Sequence, residues 1–409
     1  MNSCKLLLCL FFQFVVFLPA LAANSDVSQA YEQRIQSLEQ RIEELENQIK
    51  GVGEDKSEVT ELAPEEISPQ PIQPTGNEKL LPDISIIVDT LGITSTTNLE
   101  PNRDQIQIRG IELGIQGYLY PQIRGDVFIT AEGEELSVGV EEAYASFLQI
   151  GNTDLSLNIG KKFINFGKNN PVHREKWPFV TQPFAIRNLL NPEEGLTGQG
   201  AQVNYLLPLK GNLFCQAEVG IWKPSVHHHE HAEGVEHHEL GIRVHNRLYT
   251  GRLWLSKPVR DFAELEVGMS IAGGKGEESL GNPKTRLYGI DLTYRAWPAA
   301  HKQILLQAEV VRQKRWLPER DGARNGYYLL YSYKLNKYNE AGIRYDWASL
   351  PAPEIGHDSG LSAIYTRRLT ETSYMRLQVT RGSSSNSDDY ISTFLQFVWG
   401  LGPHSHDLQ

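Results

Sequence analysis

The sequence predicts an all-β fold, a transmembrane antiparallel β-barrel of about 16 strands preceded by a short N-terminal coiled-coil helix and a disordered linker. Three observations carry this expectation. From Leu81 onward apolar and polar residues alternate with period two, in runs of about ten residues that end in turn residues. The connections between the runs alternate short and long. The chain also opens with an export signal.

The signal peptide occupies residues 1–22. Lys5 supplies the positive charge, the 13 residues from Leu6 to Leu18 are almost wholly apolar, and Ala20-Leu21-Ala22 is a small-x-small cleavage site. A membrane anchor is the competing reading, but a spanning helix needs about 20 apolar residues. Residues 23–50 read as a helix, because Tyr31, Ile35, Leu38, Ile42, Leu45 and Ile49 recur at alternating spacings of four and three. A coil of about three heptads is marginal alone and needs an oligomer held together elsewhere. Its a and d residues favour two strands, whereas a coil tied to a barrel follows the barrel's symmetry, so a homotrimer is expected. Residues 51–80 are acidic, carry Pro64, Pro69, Pro71 and Pro74 and show no period, as a flexible periplasmic linker would. Cys4 and Cys9 leave with the signal, and Cys215 alone cannot form an internal disulfide.

Residues 81–402 form the expected barrel. Ile111, Leu113 and Ile115 alternate with Glu112, Gly114 and Gln116, and Leu265, Val267, Met269 and Ile271 or Tyr327, Leu329, Tyr331 and Tyr333 repeat the pattern. Sixteen runs begin near Asp83, Ile106, Ile123, Val140, Asp154, Gly198, Asn212, Arg247, Ala263, Thr285, Lys302, Gly326, Asn339, Gly360, Ser373 and Asp389. Short connections fall around Pro121 and at 151–153, 209–211, 259–261, 298–300, 336–338 and 370–371. Longer polar ones fall at 95–104, 169–197, 223–245, 273–284, 317–325, 351–359 and 382–388. Outer-membrane barrels have short periplasmic turns and longer external loops. An even strand count then leaves both termini in the periplasm, together with a tail at 403–409 that holds His404 and His406. Tyr118, Trp222, Trp297, Trp347 and Trp399 near run ends fit interfacial girdles in outer-membrane lipid. A soluble β-sandwich is the alternative, and it leaves the aromatic-rich outer faces unexplained. The mean hydropathy of −0.37 does not separate the two, because barrel strands carry polar inner faces.

If the apolar parity faces lipid, the other parity lines a lumen rich in acids: Asp89, Glu112, Asp126, Glu132, Glu142, Glu218, Glu264, Glu266, Asp291, Glu309 and Asp346. Arg124, Lys162, Arg252, Arg295, Lys334, Arg344 and Arg376 are the fewer bases on that parity. Such an excess favours cations, although a general porin with mixed charges reads nearly the same way. The net charge of −11 gives no support to nucleic-acid binding. The connection after the fifth strand has the position of a loop that folds inward and narrows the lumen, and its His173 is a candidate metal or solute ligand, or simply a polar surface residue. The connection after the seventh strand packs six histidines and four glutamates into residues 227–239. His227, His228, His229, Glu230, His231, Glu236, His237, His238 and Glu239 offer imidazole and carboxylate ligands suited to zinc and its neighbours. A flexible set of this kind suits capture and release, and the competing reading is a solvated low-complexity loop with incidental affinity. No nucleophile motif, paired-acid spacing or phosphate loop is present, so no enzyme is expected.

The stretches VEEAYASF at 140–147 and GKKFINFG at 160–167 resemble the phosphate-selective porin O and P superfamily. NNPVH at 169–173, WPFV at 177–180, EEGL at 193–196, the His-rich segment and GPHSH at 402–406 are similar to its zinc-regulated outer-membrane receptor branch. The resemblance spans essentially the whole mature chain. It implies metal passage across a Gram-negative outer membrane under zinc limitation. Together these features predict a porin-like channel for divalent metal, most of all zinc, with the His-rich loop outside the cell and the coil in the periplasm. The ion is transported or loop-bound, with no tightly bound cofactor. The alternatives are a general or phosphate-type porin with an incidental His loop, and an external binding module that uses the barrel as an anchor. Plugged receptors close a 22-stranded barrel, and the roughly 58 residues before this barrel are too few and too polar for a plug, so no energy-coupling partner is expected.

Overall fold

The computed structural model describes residues 82–402, except 99, 101, 191–194, 210, 226–243, 245–246, 261, 277–283, 317–320 and 352–353. The signal, the heptad segment, the linker, the His-rich segment and the tail at 403–409 lie outside the described residues.

Sixteen antiparallel strands close on themselves in sequence order. They are β1 (Asp83–Ser95), β2 (Gln105–Tyr120), β3 (Ile123–Glu132), β4 (Ser137–Phe147), β5 (Leu155–Phe163), β6 (Thr197–Leu206), β7 (Phe214–Pro224) and β8 (Leu248–Arg260). The second half is β9 (Ala263–Lys275), β10 (Lys284–Ala299), β11 (Lys302–Trp316), β12 (Asp321–Lys334), β13 (Asn339–Ser349), β14 (His357–Arg368), β15 (Tyr374–Ser384) and β16 (Ser387–Leu401). The seam joins β1 to β16 from Ile86 opposite Leu401 to Ser95 opposite Ser392. Every run read from the sequence is a strand. The largest difference in start is the twelfth, expected from Gly326 and observed from Asp321.

The barrel is apolar outside and polar inside. On β10, Tyr288, Ile290 and Leu292 point outward while Asp291 and Thr293 are buried, with Ile290 58% and Asp291 2% exposed. The same alternation sets Met269 and Ile271 outside Glu266 and Ser270, and Ile343 and Tyr345 outside Arg344 and Asp346. An apolar belt around a closed sheet is the surface that lipid solvates, and closure leaves no unpaired strand edge in a medium that cannot hydrogen-bond it.

Two irregularities matter for the interior. On β2, Gly110 faces Asp89 and Ile108 faces Thr90, which leaves Arg109 as an extra residue. On β4, Glu142 faces Phe128 and Val140 faces Ile129, which leaves Glu141 extra. A bulge of this kind breaks strict alternation, so both Arg109 and Glu141 meet partners inside the barrel.

Ile290 stands near the middle of its strand on the lipid face, so Ile290→Arg should destabilise the folded barrel by about 2–4 kcal/mol. Denaturant unfolding in lipid vesicles measures this.

Candidate functional site

The segment from Ile164 to Leu196, between β5 and β6, is too apolar for an external loop. Ile164, Phe166, Phe179, Val180, Ile186, Leu189, Leu190 and Leu196 are fully buried. They find apolar neighbours by folding into the lumen. Ile164, Phe166, Ile186, Leu189, Leu190 and Leu196 pack with Trp222 of β7, Leu248 of β8, Ala272 of β9, Leu287 of β10 and Val311 of β11. Trp177 and Phe179 meet Tyr328 and Leu330 of β12 and Ile364 of β14. Val180 meets Leu91 and Ile93 of β1 and Phe394 of β16. Each such side chain gains about 1.5–3 kcal/mol on leaving water, and the three clusters tie the segment to three sides of the wall.

The backbone of the segment is held as firmly. Arg376 of β15 donates to the Phe179 carbonyl at 3.2 Å, Arg109 to that of Val180 at 2.9 Å, and Arg344 of β13 to that of Thr181 at 2.6 Å. Three consecutive carbonyls are thus each capped by a guanidinium from a different strand. The arginines are themselves fixed: Arg344 by Asp346 at 2.7 Å, Arg109 by Asp89, and Arg376 by Thr366 at 2.9 Å. Gln378 accepts from the Val180 N–H at 2.8 Å and donates to the Thr181 hydroxyl at 2.7 Å. Beyond them a short helix, α1 (Phe184–Leu189), is anchored by Arg187 and Asn188, both 2.9 Å from Asp358 of β14.

Two glycines make the entry and exit possible. Gly167 and Gly195 have φ of +67° and +61°, and a Cβ would strike the Glu309 carboxylate at the first and the Asn170 amide at the second. Asn170 joins the two legs, donating to the carbonyls of Ile164 and Leu196 and accepting from the Leu196 N–H at 2.6 Å. Lys168 reaches Glu266 of β9 at 2.6 Å.

Where the segment passes β2 and β4 it carries His173, which is 3% exposed. Its Nδ1 lies 2.8 Å from Glu112 and 3.5 Å from Glu141, and its Nε2 lies 2.8 Å from Glu142. Glu142 also accepts the Phe163 N–H at 2.7 Å, and the rings of Phe128 and Phe163 enclose the imidazole at 4.9 and 5.2 Å. Burial opposes the charged imidazolium, but the carboxylates of Glu141 and Glu112 and the hydrogen bonds to Glu112 and Glu142 outweigh it and raise the His173 pKa well above 6.5. The donor atoms of Glu112, Glu141 and His173 all lie within 4.8 Å of one another, as metal ligands would.

Of the candidate ligands read from the sequence, His173 is therefore in the lumen and gathered with acids, while His227 to Glu239 lie outside the described residues. The acid excess of the lumen is largely compensated. Asp126 pairs with Arg124 at 2.9 Å, Asp291 with Arg252 at 2.7 Å, and Glu266 with Lys168 and Arg295. Glu218 is held by the amides of Asn165, Gln202 and Gln216, and Glu309 by the Asn169 N–H and the Tyr328 hydroxyl. Parity counting missed Arg109 because of its bulge, and Lys168 and Arg187 because they belong to the inward segment.

No family model matches the chain. An uncharacterized protein of Aquifex aeolicus (strain VF5) is 26% identical over 382 residues, covering 80% of this chain and 79% of that protein. Among solved structures, an anion-selective porin from Comamonas acidovorans superposes with a TM-score of 0.54 at 12% identity, over 78% of this chain and 99% of that one. The outer membrane channel DcaP of Acinetobacter baumannii gives 0.52 at 11% identity, over 79% and 97%. Salmonella typhi OmpF, in complex with daunomycin, gives 0.52 at 10% identity, over 78% and 97%. The fold is that of outer-membrane porins and channels.

Arg344→Ala removes the cap on Thr181 and takes from the buried Asp346 the guanidinium that hydrogen-bonds it, which should cost about 3–5 kcal/mol. Trypsin should then cut the folded barrel at Arg174, Lys176 or Arg187, where the unsubstituted protein resists. Equal resistance in the two proteins would show that the cap does not hold the segment.

Proposed function

We propose that this protein is a plug-free, porin-type channel of a Gram-negative outer membrane that admits divalent metal, zinc above all. The observation that carries the channel is the inside-out barrel, with a lipid-solvated belt around a charge-lined lumen that one folded segment crosses. The ion is suggested by the residues the segment brings to the wall, where His173 meets Glu112, Glu141 and Glu142. The sequence of residues 226–239 supports the same choice, since imidazole with carboxylate suits zinc. β7 ends at Pro224 and β8 starts at Leu248 on the rim from which the β5–β6 segment turns inward, and residues 226–239 lie between them in the sequence. With that rim outside the cell, the stretch concentrates metal from the medium and the N-terminal coil lies in the periplasm.

A general or anion-conducting porin is the second reading, and the luminal arginines favour it. Those that cap carbonyls 179–181 are already occupied, however, and do not form a free ladder for anions.

Deleting residues 226–239 should reduce zinc binding by the purified protein and growth under zinc chelation, while single-channel conductance is largely kept. Unchanged zinc binding would remove the capture role, and a reversal potential showing anion preference in a salt gradient would replace the metal reading with the second. The heptad at residues 31–49 motivates a trimer, and a mass of one chain in mild detergent would exclude it.

A further inference from the structure

We infer that Glu112, Glu141 and His173 form a discrete divalent-metal site where the inward segment meets the wall, with Glu142 orienting the histidine. This rests on the proposed metal reading and deepens it by naming a resting place for the ion, built from residues other than 226–239.

Both imidazole nitrogens of His173 face carboxylates. A neutral ring has one N–H and one lone pair, and a lone pair 2.8 Å from an ionised carboxylate oxygen is repulsive, so that side takes either a proton, on the ring or on the carboxyl, or a metal ion. The two sides of the ring differ in a way that suits a metal. Nε2 has Glu142, whose other oxygen is fixed by the Phe163 N–H. This is the carboxylate–histidine arrangement that orients a metal-bound imidazole. Nδ1 has two carboxylates, Glu112 at 2.8 Å and Glu141 at 3.5 Å. Ligands about 2.0–2.2 Å from a tetrahedral zinc stand about 3.3–3.6 Å apart, which the Nδ1–Glu141 separation matches, while Glu112, now at hydrogen-bond distance, would draw back by about half an ångström to admit the ion.

A second observation is independent of the cluster. Glu141 also lines a cavity of about 10 Å³, close to the size that holds one water. Asn169 lines it too, is 2% exposed, and its Nδ2 has no hydrogen-bond partner among the described residues. A water in that space, as the fourth ligand, would give the amide an acceptor. Arg174 borders the cavity as well, but its guanidinium pairs with Glu132 at 3.3 Å. The bulge on β4 makes the site possible, because it lets the adjacent Glu141 and Glu142 serve one histidine from different sides.

The test is zinc titration of the purified protein in detergent, on the full chain and on a variant lacking residues 226–239, with magnesium as the control ion. Barrel integrity is checked by the heat-dependent shift in gel mobility. The shortened variant should keep one zinc per chain and ignore magnesium. Glu141→Gln or Glu112→Gln in that background should each weaken zinc at least tenfold, which separates this site from His404 and His406 in the tail. Glu142→Ala should weaken it about tenfold, and Glu142→Gln, whose amide oxygen still accepts the Nε2–H, should recover most of the loss. X-ray absorption at the zinc edge should report one imidazole among oxygen ligands. Loss of all zinc on deleting 226–239 from a folded barrel, or unchanged affinity in both glutamine variants, would overturn the site. Failure of zinc to carry current while this site stays occupied would instead overturn the transport reading alone.

Discussion

Three guanidinium groups from β2, β13 and β15 cap three consecutive carbonyls of the inward segment, and much of the interior is arranged around that contact. A chain that leaves the wall and crosses a lumen loses the sheet partners of its backbone, and each buried carbonyl then needs a donor. Charged donors supply about 1.5–3 kcal/mol per bond, provided their own charge is balanced nearby. Asp89 and Asp346 provide that balance for Arg109 and Arg344. The luminal acids and bases are therefore in large part the fittings that hold one segment in place, and less a field waiting for a permeating ion.

The apolar part of the segment imposes a complementary demand. A water-filled pore cannot solvate Phe166, Phe179, Ile186 and Leu190, so the wall offers them an apolar interior on three sides. The barrel consequently has two hydrophobic surfaces of different kinds, an outer belt for lipid and an inner one for its own chain. His173 is where the segment meets Glu112 of β2 and Glu141 and Glu142 of β4, with the rings of Phe128 and Phe163 against the imidazole. That joint is where the electrostatics are least like a static brace, since it concentrates three carboxylates on one ring.

The strands were legible because period two and turn residues survive in every run, and the inward course of the β5–β6 connection was legible from its length and position. Its docking was written in the sequence as well. Near the mouth both parities turn apolar, as in Ile221 and Trp222, Ile271 and Ala272, or Val310 and Val311, which is wasteful unless something covers the inner face. The bulges were not legible. One extra residue reverses the parity of its neighbours, so Arg109 and Glu141 fell on the wrong face although both stood in plain view. The luminal charge balance is illegible for a related reason: Lys168 and Arg187 reach the wall from the segment, and no count along strands includes them. The His-rich stretch was legible as ligand chemistry only, and it lies outside the described residues.

The central claim is that residues 164–196 set the bore of the channel from inside. Single-channel conductance in planar bilayers tests it most directly, on a variant in which residues 168–194 are removed and Gly167 is joined to Gly195. A conductance several-fold above that of the intact chain is the expected result, with the barrel still showing its heat-dependent gel shift. A folded variant that conducts as the intact chain does would contradict the account.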